Sequence, residues 1–413
     1  MPYAERLRAA LSPADLAIVQ QLAHLATRSH TGVYLVGGPV RDCLLGRSVI
    51  DLDVAVEGAA IDLARALANE AGGTLTIHAR FGTATWRAPD RARSIDLATT
   101  RTETYAQPGA RPDVTRGTLA SDLIRRDFTV NAMALRLDGD HFGELIDLHG
   151  GERDLQAGVI RVLHARSFSD DPTRLFRAAR FEQRFNWQVA ADTLALMPAA
   201  LPVIDQVSGD RLRHEIELLW REPQPDRPLR RLNEWGVLRQ IDPALGFDDR
   251  SGQRLARPLD AFLGWTNWLS SKSVAEIRRI ALRLNLRRED AIDLEQVAGL
   301  VAAADSIGQA EAASAVYGQL AAYHDRAVRA ALNLVESAAA RRNMQRYLDE
   351  WQSVRPELDG HALQQLGVQP GPALGRLLRA LTAAKLDGQI TTRQSEEDYA
   401  RRWLAREAGD GWD

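Results

Sequence analysis

The sequence predicts an α+β protein, with an α/β head at the N-terminus and helices alone in the rest of the chain. Up to about residue 160, short β-branched runs alternate with helical patterns, as in VYLVGG followed by PVRDCLLG. From about residue 161 leucine, alanine and arginine recur at helical spacing to the end. The 413 residues are too many for one ordinary domain of about 150 residues. We expect a head at 1–155, a neck at 156–225, and a body and tail at 226–413.

The composition is that of a globular protein, with 45% hydrophobic and 26% charged residues. No uncharged apolar run reaches the length of about 18 residues that spans a bilayer. The first residues, MPYAERLRAALS, carry charges where a secretory signal has its apolar segment. We therefore expect a cytoplasmic protein with no membrane attachment. Cys43 is the only cysteine, which excludes an internal disulfide and a cysteine-rich zinc site.

The net charge of −3 gives no general basic surface, so any contact with nucleic acid must depend on local clusters. All basic residues except Lys272 and Lys385 are arginine. Arginine makes planar, bidentate contacts with phosphates. A GC-rich genome would produce the same bias without any functional meaning.

Two acidic residues lie two positions apart in the strand-like run IDLDVAV. Side chains at alternate positions of a strand leave the same face, so we expect Asp51 and Asp53 on one face and Ile50, Leu52 and Val54 on the other. Two carboxylates this close repel each other unless a cation lies between them, and their hard oxygen atoms suit Mg²⁺. The alternative for the pair taken alone is a solvated strand end.

A glycine-rich turn precedes the acidic pair. The short apolar strand Tyr34–Val36 runs into Gly37 and Gly38, and we expect Pro39 to open a helix that carries Arg41 in its first turn. Backbone N–H groups at such a turn can approach an anion closely, and the helix N-terminus adds partial positive charge. The segment therefore predicts an anion site beside the acids, with a plain tight turn as the alternative.

The run GGPVRDCLLG at residues 37–46, followed by Asp51 and Asp53, resembles the signature of the class II tRNA nucleotidyltransferase (CCA-adding enzyme) and bacterial poly(A) polymerase family, in the polymerase β superfamily. The resemblance implies a polymerase-β-like head in which Asp51 and Asp53 hold the catalytic metal ions, with Mg²⁺ as the cofactor. It also implies that the Gly37–Gly38 turn and Arg41 contact the nucleotide. Asp96, in the strand-like run SIDLAT, is a candidate third catalytic carboxylate.

Three later segments resemble the same family in the same order. The first, DLIRRDFTVNA at residues 122–132, places Arg126 at the nucleotide. The second, DLHGGERDL at residues 147–155, is similar to the turn that ends the catalytic domain. The third, FSDDPTRLFRAARF at residues 168–181, is similar to the family's base-reading segment, with Asp170 where a glutamate is usual.

The third segment can be interpreted physically. We expect Pro172 to start a helix and the spacing of three to place Asp171, Arg174 and Arg177 near one another on its surface. Asp171 can only accept hydrogen bonds and Arg174 can only donate them. Cytosine and adenine both present an amino donor beside a ring acceptor, so the pair would accept these bases and reject uracil and guanine. Arg177 and Arg180 would then face phosphates or the RNA end; the alternative is an amphipathic helix with solvated arginines.

Together these features predict an Mg²⁺-dependent enzyme that transfers CMP and AMP from CTP and ATP to a tRNA 3′ end without a nucleic-acid template, with tRNA bound by the helical body and tail. CC-only addition, A-only addition and poly(A) synthesis remain open, and so does the oligomeric state. The aperiodic segment Arg101 to Asp122 is a candidate mobile loop that selects among these products. A non-catalytic RNA-binding protein is the alternative of a different class.

Overall fold

The computed structural model describes residues 1–90, 93–110 and 112–409. The chain divides into two compact units, Met1–Asp248 with Ala256–Pro258, and Asp249–Leu255 with Leu259–Asp413. The boundaries expected at residues 155 and 225 remain predictions. Among the described residues, no helix has both the length and the apolar composition that a membrane span requires.

The first unit is built on a seven-stranded sheet with the order β3-β4-β5-β2-β1-β8-β9. Its strands are β1 (Gly32–Val36), β2 (Leu52–Glu57), β3 (Thr74–His78), β4 (Thr83–Arg87), β5 (Ser94–Thr99), β8 (Met133–Arg136) and β9 (Leu145–Asp147). Neighbouring strands are antiparallel except β2 and β5, which run parallel. This parallel pair brings the starts of two strands to the same edge of the sheet.

Two small strand pairs complete the first unit. The strands β6 (Arg101–Thr104) and β7 (Asp113–Arg116) form an antiparallel hairpin, and β10 (Val159–Ile160) pairs in parallel with β11 (Gln188–Val189). The segment predicted to be an aperiodic loop is therefore largely this hairpin, although residue 111 lies outside the described part. We expected the strands to end at about residue 161. This is wrong for one short strand, β11, which lies beyond that point.

The helices of the first unit cover both the head and the segment that follows it. They are α1 (Tyr3–Ala10), α2 (Pro13–Arg28), α3 (Gly38–Leu44), α4 (Ala60–Ala71), α5 (Leu119–Ile124), α6 (Gly151–Ala157), α7 (Ser167–Asp170), α8 (Arg174–Phe185), α9 (Ala191–Leu194), α10 (Met197–Ala200), α11 (Gly209–Leu219), α12 (Asp226–Glu234) and α13 (Val237–Ile241). Helix α4 shows why they form: Ala60, Leu63, Ala64 and Leu67 recur at helical spacing and are buried.

The described part of the second unit is entirely helical, as the sequence predicts. Its helices are α14 (Asp249–Arg254), α15 (Ala261–Leu269), α16 (Val274–Arg283), α17 (Arg288–Ala302), α18 (Ala304–Gln309), α19 (Ala313–Leu320), α20 (Asp325–Leu332), α21 (Ala338–Arg346), α22 (Gly360–Gln365), α23 (Pro372–Leu386) and α24 (Arg393–Gly409). One apolar core includes Leu300 and Met344, and a second, in the last three helices, includes Leu363 and Leu381.

Candidate active site

The acidic pair lies where β2 begins. Asp51 immediately precedes the strand, Asp53 is its second residue, and both are exposed while Leu52 and Val54 are buried. The predicted alternation is therefore confirmed for these four residues. It is wrong for Ile50, which is 89% exposed because the strand starts only at residue 52.

Asp96 joins the pair through the parallel strand pairing, since Asp53 and Asp96 are direct partners in β2 and β5. Partial desolvation raises the pKa of Asp53 although the residue remains exposed, and the carboxylates of Asp96 and Asp51 raise it further, while Arg126 lowers it. The Thr85 hydroxyl donates a hydrogen bond of 2.5 Å to Asp96 Oδ1. Three carboxylates thus concentrate negative charge at one edge of the sheet.

The glycine turn lies against an arginine of the head. Gly37 has a φ of 77°, and a Cβ atom added to it would lie 2.6 Å from Arg126 Nη1. Gly38 begins α3, one residue earlier than the predicted start at Pro39. Glycine at position 37 therefore serves two purposes, because it permits the left-handed backbone and leaves room for the guanidinium.

Arg41 is held rigidly although it lines the cleft. Its side chain donates to Asp42 and, over 2.9 Å, to Asn131 Oδ1, and it lies above the rings of Phe181 and Phe185 at 5.4 and 4.8 Å. Only 6% of the residue is exposed. Because its torsions are already restricted, Arg41 would lose little further freedom on contact with an anion.

Arg126 is anchored by a buried acid. Its Nη2 donates to Asp122 Oδ2 over 3.0 Å, and Arg125 donates to the other oxygen of the same carboxylate. Burial alone would raise the pKa of Asp122, but the two arginines outweigh it and lower that pKa. The Arg126 Nε is buried and has no hydrogen-bond partner in the described structure, so this side chain keeps an unused donor.

A second buried acid links the head to helix α8. Asp127 accepts hydrogen bonds from Asn131 Nδ2 at 3.0 Å and from Arg177 Nε at 2.7 Å. Burial opposes its ionisation, but Arg177 and Asn131 outweigh burial and lower the pKa of Asp127. Together with Arg41, which donates to Asn131, these residues form one continuous hydrogen-bonded chain. Sequence reasoning missed Asp127 and Asn131, although both stand in the RRDFTVNA run.

Asp171 does not lie on the helix with Arg174, which corrects the spacing argument. Helix α8 begins at Arg174, and Asp171 has an extended backbone because its Oδ1 accepts the N–H and hydroxyl of Thr173 in a tight turn. Asp171 also accepts a hydrogen bond from Arg211 Nη2 at 2.7 Å. Arg174 is buried and donates to the carbonyls of Ser167 and Arg125. In this structure the two residues therefore have separate partners.

Arg180 is buried, and its nearest acidic neighbours among the described residues lie at the limit of an ion pair. Its Nη1 lies 4.0 Å from Glu215 and its Nε 3.8 Å from Glu222, both beyond hydrogen-bond distance. Burial lowers the pKa of Arg180 and raises that of Glu215. Glu215 was not identified from the sequence, because nothing in its helical context distinguishes it from a solvated glutamate.

One open cleft of about 620 Å³ collects all the predicted nucleotide-binding residues. These are Gly37, Gly38, Arg41, Arg126, Asp171, Arg174, Arg177 and Arg180, and Asp53 lies among them. An adjoining cavity of about 300 Å³ is lined by Asp53, Asp96 and Arg126. Asp53 thus faces two cavities. Asp51 lines neither of these two cavities. The cleft is also lined by Glu103, Tyr105 and Glu215, which sequence reasoning did not identify.

Acids paired across parallel strands, beside a glycine turn and an arginine-lined cleft, define a nucleotidyltransferase head of the polymerase β type. Residues 33–161 match the model of the poly(A) polymerase head domain. Residues 186–247 match the family described as the probable RNA and SrmB-binding site of polymerase A.

Two relatives extend the match along the chain. An A-adding tRNA nucleotidyltransferase of Geobacter sulfurreducens is 33% identical over 94% of this chain, which spans 47% of that relative's length. A CC-adding tRNA nucleotidyltransferase of Deinococcus radiodurans is 34% identical over 98% of this chain and 97% of its own. The chain belongs to the tRNA nucleotidyltransferase family.

Solved structures agree with this assignment. A CCA-adding enzyme complexed with ATP has a TM-score of 0.77 at 29% identity and covers 99% of both chains. Its complex with CTP has a TM-score of 0.78 at 28% identity, over 98% of this chain and 99% of that one. The Thermotoga maritima CCA-adding enzyme complexed with tRNA-CCA has a TM-score of 0.72 at 28% identity, with the same coverage.

Proposed function

We propose that the protein adds CMP, AMP or both, from CTP and ATP, to the 3′ end of tRNA without a nucleic-acid template. The observation that carries this proposal is the position of Asp53, which faces both the arginine-lined cleft and the cavity beside Asp96. A polymerase must bring a nucleoside triphosphate and an RNA 3′-hydroxyl to the same carboxylates. Here the cleft and the adjoining cavity offer two such spaces, and both are lined by Asp53.

The cleft supplies the contacts for the triphosphate. The backbone at Gly37 and Gly38 and the guanidinium groups of Arg41 and Arg126 line it, and all suit phosphate oxygens. Arg126 retains an unused buried donor. These groups would hold the α-phosphorus against Asp53 and neutralise the charge that pyrophosphate carries away as the new O–P bond forms.

Asp171 and Arg174 would read the base, as proposed from the sequence. In the structure both line the cleft, but Asp171 is paired with Arg211 and Arg174 with two carbonyls. Base reading therefore requires both side chains to exchange partners when a nucleotide enters. Each exchange replaces one hydrogen bond by another, so its net cost is about 1 kcal/mol or less.

The carboxylates suit a divalent metal ion. Among the described residues, no three His, Cys, Asp or Glu side chains form a ready-made metal site, so Asp51 and Asp53 would hold Mg²⁺ together with oxygens of the substrate. Partial desolvation raises the pKa of Asp53, the carboxylates of Asp96 and Asp51 raise it further, and a bound cation would favour the ionised form instead. Bound Mg²⁺ activates a hydroxyl and stabilises a leaving phosphate oxygen. In this proposal Asp96 would take the proton of the RNA 3′-hydroxyl.

Which nucleotides are added differs between relatives, since one of those above is named A-adding and the other CC-adding. The product of this protein must therefore be measured. The decisive assay incubates the protein with Mg²⁺, labelled CTP or ATP, and tRNAs ending at the discriminator base, at C or at CC. Growth of all three to CCA ends indicates complete addition. Growth of only the CC-ended tRNA indicates an A-adder, a stop at CC indicates a CC-adder, and long tails indicate a poly(A) polymerase.

A variant of Asp53 tests the carboxylate centre. Asp53→Asn should lower incorporation at least a thousandfold while the dissociation constant for tRNA stays within threefold, because the change removes charge at the reacting atoms only. Asp140→Asn, at an exposed position in a short 3-10 helix of the head, is the matched control. A wild-type protein that binds tRNA but never extends it, with or without added Mg²⁺, would instead support a non-catalytic RNA-binding protein.

A further inference from the structure

A separate pocket of about 400 Å³ lies on the head, away from the cleft. It is formed by the start of α4, the turn between β3 and β4, and the β6–β7 hairpin. It shares no lining residue with the cleft or with the cavity beside Asp53. Thr99, the last residue of β5, lines it, and Asp96 lies three residues earlier on that strand, about 10 Å away.

Exposed apolar side chains are concentrated at this pocket. Ile77 is 37% exposed, Val114 is 38% exposed and Phe81 is 52% exposed, and all three line it. Single exposed apolar residues need no explanation, but three around one concavity mark a binding surface. The ring of Phe81 is about half exposed, and the Arg80 guanidinium lies 5.8 Å from the ring centroid, so an aromatic surface and a positive charge adjoin each other here.

The rim of the pocket is strongly positive although the chain as a whole has a net charge of −3. Four arginines and a single acid line it, namely Arg65, Arg80, Arg101, Arg116 and Asp62. Arg65 pairs with Asp62, and Arg101 pairs with Glu103 outside the pocket. Among the described residues, neither of the other two arginines has a carboxylate partner.

The hairpin itself carries an unfavourable charge arrangement. Arg101 and Arg116 are direct cross-strand partners in β6 and β7. Like charges directly opposite each other destabilise a strand pair, and Arg116 has no carboxylate among the described residues to offset it. An anion bound between the strands and the β3–β4 turn would relieve this repulsion.

We propose that this pocket binds an unpaired nucleotide of the RNA substrate, with its base against Phe81 and its phosphates at Arg80 and Arg116. The proposal rests on the proposed function, which makes RNA the polymeric partner. Charge complementarity favours a polyanion, and an aromatic face flanked by arginines is the arrangement that holds single-stranded nucleic acid. Because the Phe81 ring is half exposed, it can contact a nucleotide that remains part of an RNA chain.

The position of the hairpin connects this pocket with the nucleotide cleft. Arg101, Val114 and Arg116 of the hairpin line the pocket, whereas Glu103 and Tyr105, on the same segment, line the cleft. RNA bound in the pocket would therefore rest against the element that forms one wall of the cleft.

Photocrosslinking tests the contact directly. Phe81 is replaced by p-benzoylphenylalanine in the full-length protein, which is irradiated with labelled tRNA. We expect a crosslink to RNA that excess unlabelled tRNA abolishes. The same replacement at Leu148, which is 55% exposed on the head and outside the pocket, should give at most a tenth of that yield.

Binding measurements test the charges. The double variant Arg80→Glu and Arg116→Glu should raise the dissociation constant for tRNA at least tenfold and reduce the slope of log K against log salt by about 1.4, since each phosphate contact of a single strand contributes about 0.7. Arg28→Glu, an exposed head arginine paired with Glu70, reverses a charge elsewhere and should change affinity less than twofold. Unaltered thermal melting would establish that the variants are folded.

The outcomes distinguish this proposal from the function on which it rests. If wild-type protein extends tRNA but position 81 does not crosslink to it and the double variant binds normally, the pocket proposal is overturned and the proposed function stands. Crosslinking at position 81 to labelled ATP without RNA, or only to a co-purified protein, also overturns it. If no tRNA is extended yet RNA crosslinks at position 81, the pocket proposal survives and the catalytic one fails.

Discussion

Asp127 shows how one buried charge connects stability with pH. Its carboxylate is paired with Arg177 and Asn131, and these partners, acting against burial, hold its pKa below the ordinary value. An acid whose pKa is lowered by folding stabilises the protein above its unfolded pKa of about 3.9, and that stabilisation disappears as pH falls through the folded value.

We expect Asp127→Asn to reduce the free energy of unfolding by about 2 kcal/mol at pH 7, because it leaves the partly buried Arg177 without its counter-charge. The difference between variant and wild type should shrink as pH falls below about 3.9, where Asp127 of the unfolded chain becomes protonated, and should be lost below the lower pKa of the folded protein. Urea unfolding at a series of pH values measures both effects. A difference that stays constant down to the lowest pH at which the protein folds would contradict the assignment.

Arg174 is the residue on which the base-reading hypothesis depends. Arg174→Ala should lower discrimination between CTP and UTP by about tenfold, the effect of one lost hydrogen-bonding match. The measurement is the ratio of kcat/KM for the two nucleotides. Gln183→Ala, on the same helix, is the control and should leave the ratio unchanged. A lower activity with both nucleotides but the same ratio would show that Arg174 only supports the fold.

At the scale of elements, the turn between β1 and α3 can be tested with a matched pair of glycines. Gly37 and Gly46 have φ values of 77° and 70°, but a Cβ atom at Gly37 would meet Arg126, whereas at Gly46 nothing lies within 4 Å. Both Gly→Ala changes should cost about 1 kcal/mol through backbone strain. Only Gly37→Ala should also raise the KM for nucleotide, at least fivefold, by displacing Arg126. Equal kinetic effects would contradict this contact.

Helix α8 shows which parts of the site the sequence could predict. The sequence predicts a helix that carries Arg174, Arg177 and Arg180, and the cleft contains all three arginines. The start of the helix could not be predicted from spacing. Asp171 accepts hydrogen bonds from Thr173 in a turn, and this turn competes with helix formation at that point. The partners Arg211 and Glu215 were missed because they belong to α11, and a contact across 40 residues leaves no trace in local periodicity.

The β6–β7 hairpin was missed for a different reason. Its strands have four residues each, and the burial pattern of β7 is fully exposed. Without a buried face there is no apolar alternation for the sequence to show. The central strands β1, β2 and β5 were identified because their buried apolar residues come from the sheet core.

For the whole molecule, the division into two units has a thermodynamic consequence. Each unit has its own contacts, so we expect calorimetric unfolding to depart from a single two-state transition. Glu396 is fully buried and accepts hydrogen bonds from the backbone N–H groups of Glu357 and Leu358 and from Lys385. Glu396→Gln should lower one transition by several degrees, through a loss of about 2 kcal/mol, and leave the other in place.

Glu397 is the control for this change. It is partly exposed, and its ion-pair partners within the described part of the chain are Arg393 and Arg401 on its own helix. Glu397→Gln should shift neither transition by more than about a degree, because exposed ion pairs contribute about 0 to 1 kcal/mol. A single transition that moves as a whole with Glu396→Gln would show that the units unfold together.

The fold class was predictable because it depends on periodicity summed over long stretches. The strands lie in the N-terminal part of the chain and the rest is helical, as the sequence predicts, with β11 as the exception. What the sequence could not provide is the order of strands in the sheet. The parallel pairing of β2 with β5, which sets Asp96 beside Asp53, depends on where the intervening hairpin of β3 and β4 packs.

The hydrogen-bonded chain from Arg41 through Asn131 and Asp127 to Arg177 makes one side of the cleft stiff before any ligand arrives. Moving that side outward would strip a buried carboxylate of its counter-ion, which is far more costly than rotating an exposed side chain. A purine is wider than a pyrimidine. Space for the larger base must therefore come from cleft residues outside this hydrogen-bonded chain, such as Tyr105, which follows strand β6 and donates its hydroxyl to Glu103.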